Sequence, residues 1–144
     1  MDFFTALHVS GSGLSAERTR VNLAASNLAN AETTRDANGG VYQRLDPVFE
    51  TQKMGSVGDP NGIPGPDAPV GVQVSKIVAD ATPGKKVYSP GHPDADADGF
   101  VTFPNVNPVH EVVNLMSASR GYEANATALE TLKQMATRGL DIGR

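Results

Sequence analysis

The sequence contains no cysteine, which excludes a disulfide framework, a thiolate metal site and a cysteine nucleophile. It also lacks a basic excess: twelve Lys and Arg stand against sixteen Asp and Glu, for a formal charge of -4. Residues 1–31 and 107–144 are each neutral in sum, so the acidity belongs to the middle of the chain. A nucleic-acid binder would present a basic face instead, so that class is set aside. No apolar run approaches the ~20 residues that cross a bilayer, which argues against membrane insertion. The opening MDFFTALHVS has neither a basic n-region nor an uninterrupted apolar h-region. If the protein leaves the cytoplasm, the expectation is export without an ordinary cleaved signal. Proline, finally, is missing from both ends, since all ten prolines lie between Pro47 and Pro108.

What is present divides accordingly into three parts: residues 1–31, a Pro/Gly-rich centre at 32–106, and residues 107–144. In the first part Leu7, Leu14, Val21 and Leu28 recur every seven residues, which predicts a helix over residues 3–29 with one narrow apolar seam. The weak point is Ser10–Gly13 (SGSG), where each glycine costs about 1 kcal/mol relative to alanine. Fraying, a kink or a close neighbouring backbone would each account for it. In the last part Asn107 is a good N-cap and Pro108 suits the first helical position. Beyond them Leu115, Tyr122, Leu129 and Ala136 repeat every seven, with Val112, Ser119, Ala126 and Leu140 in the neighbouring row, predicting a helix to about Asp141. Gly139 and Gly143 suggest fraying at its end.

The centre changes to period two. Val70–Val74, Lys85–Ser89 and Gly99–Phe103 are strand candidates, with ATPGK as the turn between the first two, and Val41–Glu50 is an extended stretch broken by Pro47. Gly55–Pro69 reads as a loop with little to bury. The predicted class is α+β: long N- and C-terminal helices pairing as a coiled coil, with a small antiparallel β domain between them. Seams this rich in alanine bury little area, so the subunit is expected to order its ends by packing with further copies.

Two chemical readings compete with a structural one. The stretch His92–Asn105 sets Asp94, Asp96 and Asp98 two apart and follows them with Gly99, the opening of an EF-hand loop. Position 12 of that loop is Asn105 rather than the bidentate Glu, and SPGHP before it cannot form the entering helix. A polar turn between strands is the stronger reading, with a calcium-binding module as the alternative and no other metal or cofactor implied. An enzyme is not expected: His8, His92 and His110 are scattered and no catalytic constellation links them.

NLANAETTRDANGGVYQR (Asn27–Arg44), HPDADADGFVTFPNVN (His92–Asn107) and ASRGYEANATALETLK (Ala118–Lys133) resemble segments of bacterial flagellar rod, hook and related axial proteins. The combination of TTR, GG and Tyr42 with GHPDADADG and PNVN, in so short a chain, looks most like the proximal rod member; another rod or hook protein is the nearest alternative. That resemblance implies terminal helices that pack with copies of the chain and with other rod subunits into a tube, with the β domain outward. It implies export through the flagellar type III apparatus, a drive shaft crossing the periplasm, and the basal-body rings as further neighbours. It makes Leu7, Leu14, Val21, Leu28, Leu115, Tyr122, Leu129, Ala136 and Leu140 candidate assembly residues. It also gives Asn27 and Asn30 a capping or turning role at the end of the first helix. Gly121 departs from the better helix former expected there and weakens the case for a straight second helix.

Overall fold

A computed structural model describes residues 3–36, 39–53 and 70–142. The Gly55–Pro69 loop and Gly143 lie outside them. The order of elements is α1 (Phe3–Ala29), β1 (Leu45–Lys53), β2 (Val70–Ala79), β3 (Lys85–Tyr88), β4 (Phe100–Phe103) and α2 (Pro108–Ile142). The class is α+β, with two long terminal helices flanking a small antiparallel β region.

The strands form two separate pairs, β1 with β2 and β3 with β4. This corrects the expectation that ATPGK joins two strands of one ladder: β2 and β3 follow each other in sequence but belong to different sheets. β2 also continues past Val74 through Ser75–Ala79, where Ile77 and Val78 sustain the β-branched run. β1 runs through Pro47 rather than breaking there. Leu45 N–H donates to Asn27 Oδ1 rather than across the sheet, and Pro47, two residues on, lacks its N–H on that same side, where no ladder bond is lost. In the second pair Lys85 to Tyr88 face Phe103 to Phe100 in antiparallel register, with the Tyr88 and Phe100 rings 5.3 Å apart.

The chain divides into two compact units. The first gathers Met1–Thr19, Val48–Lys76 and Ser117–Arg144; the second gathers Arg20–Pro47 and Ile77–Met116. Both long helices contribute to each. Within the first unit α1 and α2 run antiparallel, because a Cβ on Gly13 would lie 3.0 Å from the Asn125 amide and one on Gly121 would lie 2.9 Å from Glu17 Oε1. Glycine at these two positions is what lets the helices come so close, and both helices continue through them. In the second unit the Asn27 side chain bonds that of Glu111, again joining α1 to α2.

The apolar interior is thin. Among the described residues its fully covered members are Ala16, Ala24, Val101 and Ala118. Ala16 and Ala118 belong to the first unit, Ala24 and Val101 to the second.

Candidate functional site

In the first unit the contact positions are small or polar: Gly13 and Glu17 on α1, Gly121 and Asn125 on α2, with Ala16 and Ala118 buried in the same unit. Leu14 follows Gly13, and Tyr122 follows Gly121. For two antiparallel helices a step of one residue past the contact rotates both side chains to the same flank. Leu7, Leu14, Leu129 and Ala136 are half-buried, Tyr122 is exposed, and Leu140 is 75% exposed. The opposite flank of α1 is covered by β2: Val72 N–H donates to Ser12 Oγ at 3.1 Å, and Ser12 Oγ donates to Val9 O at 2.8 Å. Beside it lies a pocket of about 500 Å³ lined by His8, Ser12, Ser15, Thr19, Gln52 and Val72 among others, into which no large apolar side chain of the seams is drawn.

The second unit is organised around charge and amide groups. Among the described residues the largest fully buried side chains are Glu111, Val101 and Asn27. The Asn27 amide donates to Leu45 O at 2.9 Å and to Glu111 Oε2 at 3.1 Å. Its oxygen accepts Leu45 N–H and Tyr42 O–H, each at 2.9 Å. All four hydrogen-bonding positions of the amide are thereby used. Glu111 Oε1 accepts Arg44 Nε at 2.7 Å, and Arg44 also pairs with Asp46. Burial works against the charge on the Arg44 guanidinium, but Glu111 and Asp46 outweigh it and raise its pKa further above the ordinary range. Of the seam residues in this unit, Val21, Leu28 and Leu115 are half-buried.

The helix-end residues fall in different places. Asn107 Oδ1 accepts Val109 N–H at 3.0 Å, and α2 begins at Pro108. Asn30 lies just past α1, where its backbone and side-chain N–H groups both donate to Ser26 O. Asn27 is corrected: it sits inside α1 and its side chain reaches β1 and α2 rather than capping its own helix. Glu111 and Arg44 were not singled out from sequence at all.

The Asp94–Asp98 segment is a turn leading into β4. Asp96 accepts the backbone N–H of Asp98 at 3.0 Å and of Phe100 at 2.8 Å, while Gly99 takes φ +80°. A side chain rarely adopts that φ, so glycine there is a requirement of the turn. Asp94 accepts the Thr34 hydroxyl at 2.7 Å and faces Arg35 at 3.7 Å. Its carboxylate therefore ties the segment after α1 to this turn. Among the described residues no group of three acidic or histidine side chains is placed to hold a metal ion.

Comparison with known proteins gives these features a context. Residues 7–35 match the family model for flagella basal body rod protein, and residues 97–142 match that for the C-terminal region of flagellar basal body rod FlgEFG protein. The flagellar basal-body rod protein FlgC of Escherichia coli O6:H1 is 41% identical over 144 residues, covering all of both chains. FlgC of Salmonella typhimurium is 40% identical over 144 residues, and that of Bacillus subtilis 40% over 159, again covering all of both chains. With most of α1 and all of α2 inside the matched segments and the full-length alignments extending across the β region between them, the chain belongs to the FlgC family of flagellar basal-body rod proteins.

Proposed function

We propose that this chain is a structural subunit of the flagellar basal-body rod, polymerising with copies of itself and with other rod subunits through its terminal helices to form the proximal, periplasm-crossing part of the drive shaft. One observation carries this reading. The close approaches between α1 and α2 in the first unit are Gly13 against Asn125 and Gly121 against Glu17, while the leucines beside them are only half-buried and Phe4 and Leu140 are about three-quarters exposed. A chain whose largest apolar side chains are left at its surface gains by burying them against other helices. On this reading residues 1–31 and 107–144 are the assembly core and 32–106 the outward part, with Leu7, Leu14, Val21, Leu28, Leu115, Tyr122, Leu129, Ala136 and Leu140 as packing residues. Passage through the flagellar type III apparatus without cleavage, and contact with the surrounding rings, belong to the same proposal.

Leu129→Asp in the full chain, scored for motility and for incorporation into isolated basal bodies, tests it. Loss of both with the free subunit still soluble is expected. Normal incorporation would overturn the assignment of this face. Calcium binding has no comparable support, since Asp94 and Asp96 are committed to protein hydrogen bonds.

A further inference from the structure

Two of the three largest fully buried side chains among the described residues are a carboxylate and an amide, and both lie where α1 meets α2 in the second unit. Such groups are not an economical source of stability, because apolar replacements of similar volume often leave a protein equally or more stable. What a buried polar group supplies at a helix seam is alignment, since any other register leaves it without a partner. Alignment is what the apolar rows lack. Leu7, Leu14, Val21 and Leu28 on one helix and Leu115, Tyr122, Leu129 and Ala136 on the other both repeat every seven residues, so sliding by one heptad matches apolar to apolar again. That slide would bring Asn27 opposite Ala118, which has no side-chain donor or acceptor, and would carry Glu111 past the end of α1. The backbone of β1 closes the lock from a third side, because Leu45 holds both the donor and the acceptor end of the Asn27 amide while its neighbour Arg44 holds Glu111.

We propose that Asn27, Arg44 and Glu111 are the register-determining residues of the helix pair: they select the partner helix and its alignment, while the leucine rows supply adhesion with no alignment of their own. The proposal concerns the free subunit and does not depend on polymerisation, so it can fail while the assembly reading stands.

The absence of native cysteine makes the test direct. In the full chain, Ala24→Cys with Asn114→Cys places one thiol a helical turn from each end of the Asn27–Glu111 bond, and Ala24→Cys with Gly121→Cys reports a one-heptad slide. The ratio of shifted to native disulfide, interchain products included with the shifted, is compared between the parent and the variant Asn27→Leu, Arg44→Met, Glu111→Leu. The ratio is expected to rise about tenfold or more, the factor removed when a single unpaired buried polar group no longer penalises the wrong register. Helical content by circular dichroism should be unchanged. Glu111→Gln, which keeps the volume and an acceptor, should fold and raise the ratio by a smaller factor. An unchanged ratio in both backgrounds overturns the proposal. So does loss of helix in the triple variant combined with an unchanged ratio in Glu111→Gln, because the cluster then only stabilises. A raised ratio in Glu111→Gln supports it even if the triple variant unfolds.

Discussion

The two units differ in what each leaves unfinished. In the second, α1, β1 and α2 converge on side chains whose hydrogen-bonding capacity is taken up by one another: Asn27 uses all four positions, and Glu111 accepts from both Asn27 and Arg44. In the first, the helices approach closely where Gly13 meets Asn125 and Gly121 meets Glu17, and the bulky residues Phe4, Met135 and Leu140 are each more than 60% exposed. Apolar surface does not separate the two, since Tyr88 and Val109 in the second unit are 65% and 70% exposed. What separates them is a polar cluster satisfied within a single chain in the second and a close helix approach over glycine in the first, and each leaves apolar surface for neighbours to cover.

Substitutions can break this contrast from either side. The largest effect is expected from Leu129→Asp in the first unit. It should abolish rod incorporation, at a cost of roughly several kcal/mol per buried, unpaired charge, while barely moving the melting temperature of the free subunit. Glu111→Ala should do the reverse. It strands Arg44 and the Asn27 amide, so denaturant unfolding of the free subunit should reveal a loss of about 3–5 kcal/mol. Gly121→Leu tests the close approach in the first unit. With Glu17 Oε1 only 2.9 Å from where a Cβ would stand, overpacking should lower helix content measured by circular dichroism, at about 1–3 kcal/mol. Asn107→Ala removes the bonds at the start of α2 and should cost about 1 kcal/mol in the same unfolding assay.

The smallest effect concerns acid. The Thr82 hydroxyl and then its backbone N–H hold the Asp80 carboxyl below the usual carboxylate range. Its contribution is therefore fully present above the ordinary carboxylate pKa and lost as pH falls through the lower folded value. Thr82→Val should flatten that part of the stability-against-pH curve by lowering stability slightly at neutral pH while leaving it unchanged at pH below the folded value.

Much of the architecture was legible in the sequence. Seven-residue apolar repeats and the Asn107-Pro108 boundary gave both helices nearly to their ends, because burial pattern and capping chemistry are local signals. The pairing of strands was less accessible. Nothing in Val70–Val74 or Lys85–Ser89 states that the partners are Leu45–Lys53 and Phe100–Phe103, since alternation marks a strand without naming its partner and Lys85–Tyr88 is exposed throughout. The buried polar cluster was missed for a different reason. Apolar periodicity draws attention to Leu115 and Tyr122, whereas the covered row of α2 beside them includes Glu111, Ala118 and, half-buried, Asn125, again seven apart. A polar and small-residue heptad running next to an apolar one was the available sign. Of the glycines read as weaknesses, Gly13 and Gly121 are contact points whereas Gly11 faces open space, a distinction that required knowing what lay opposite.

The central claim, that the buried polar cluster already holds the helices of the second unit in the free subunit while those of the first are held by assembly, is tested most directly by amide hydrogen exchange on the full chain before and after incorporation into rods. The account predicts protection in the free subunit concentrated in residues 20–47 and 77–116, with 3–19 and 117–142 gaining protection only in the polymer. Equal protection along both helices in the free subunit, unchanged on assembly, would contradict it.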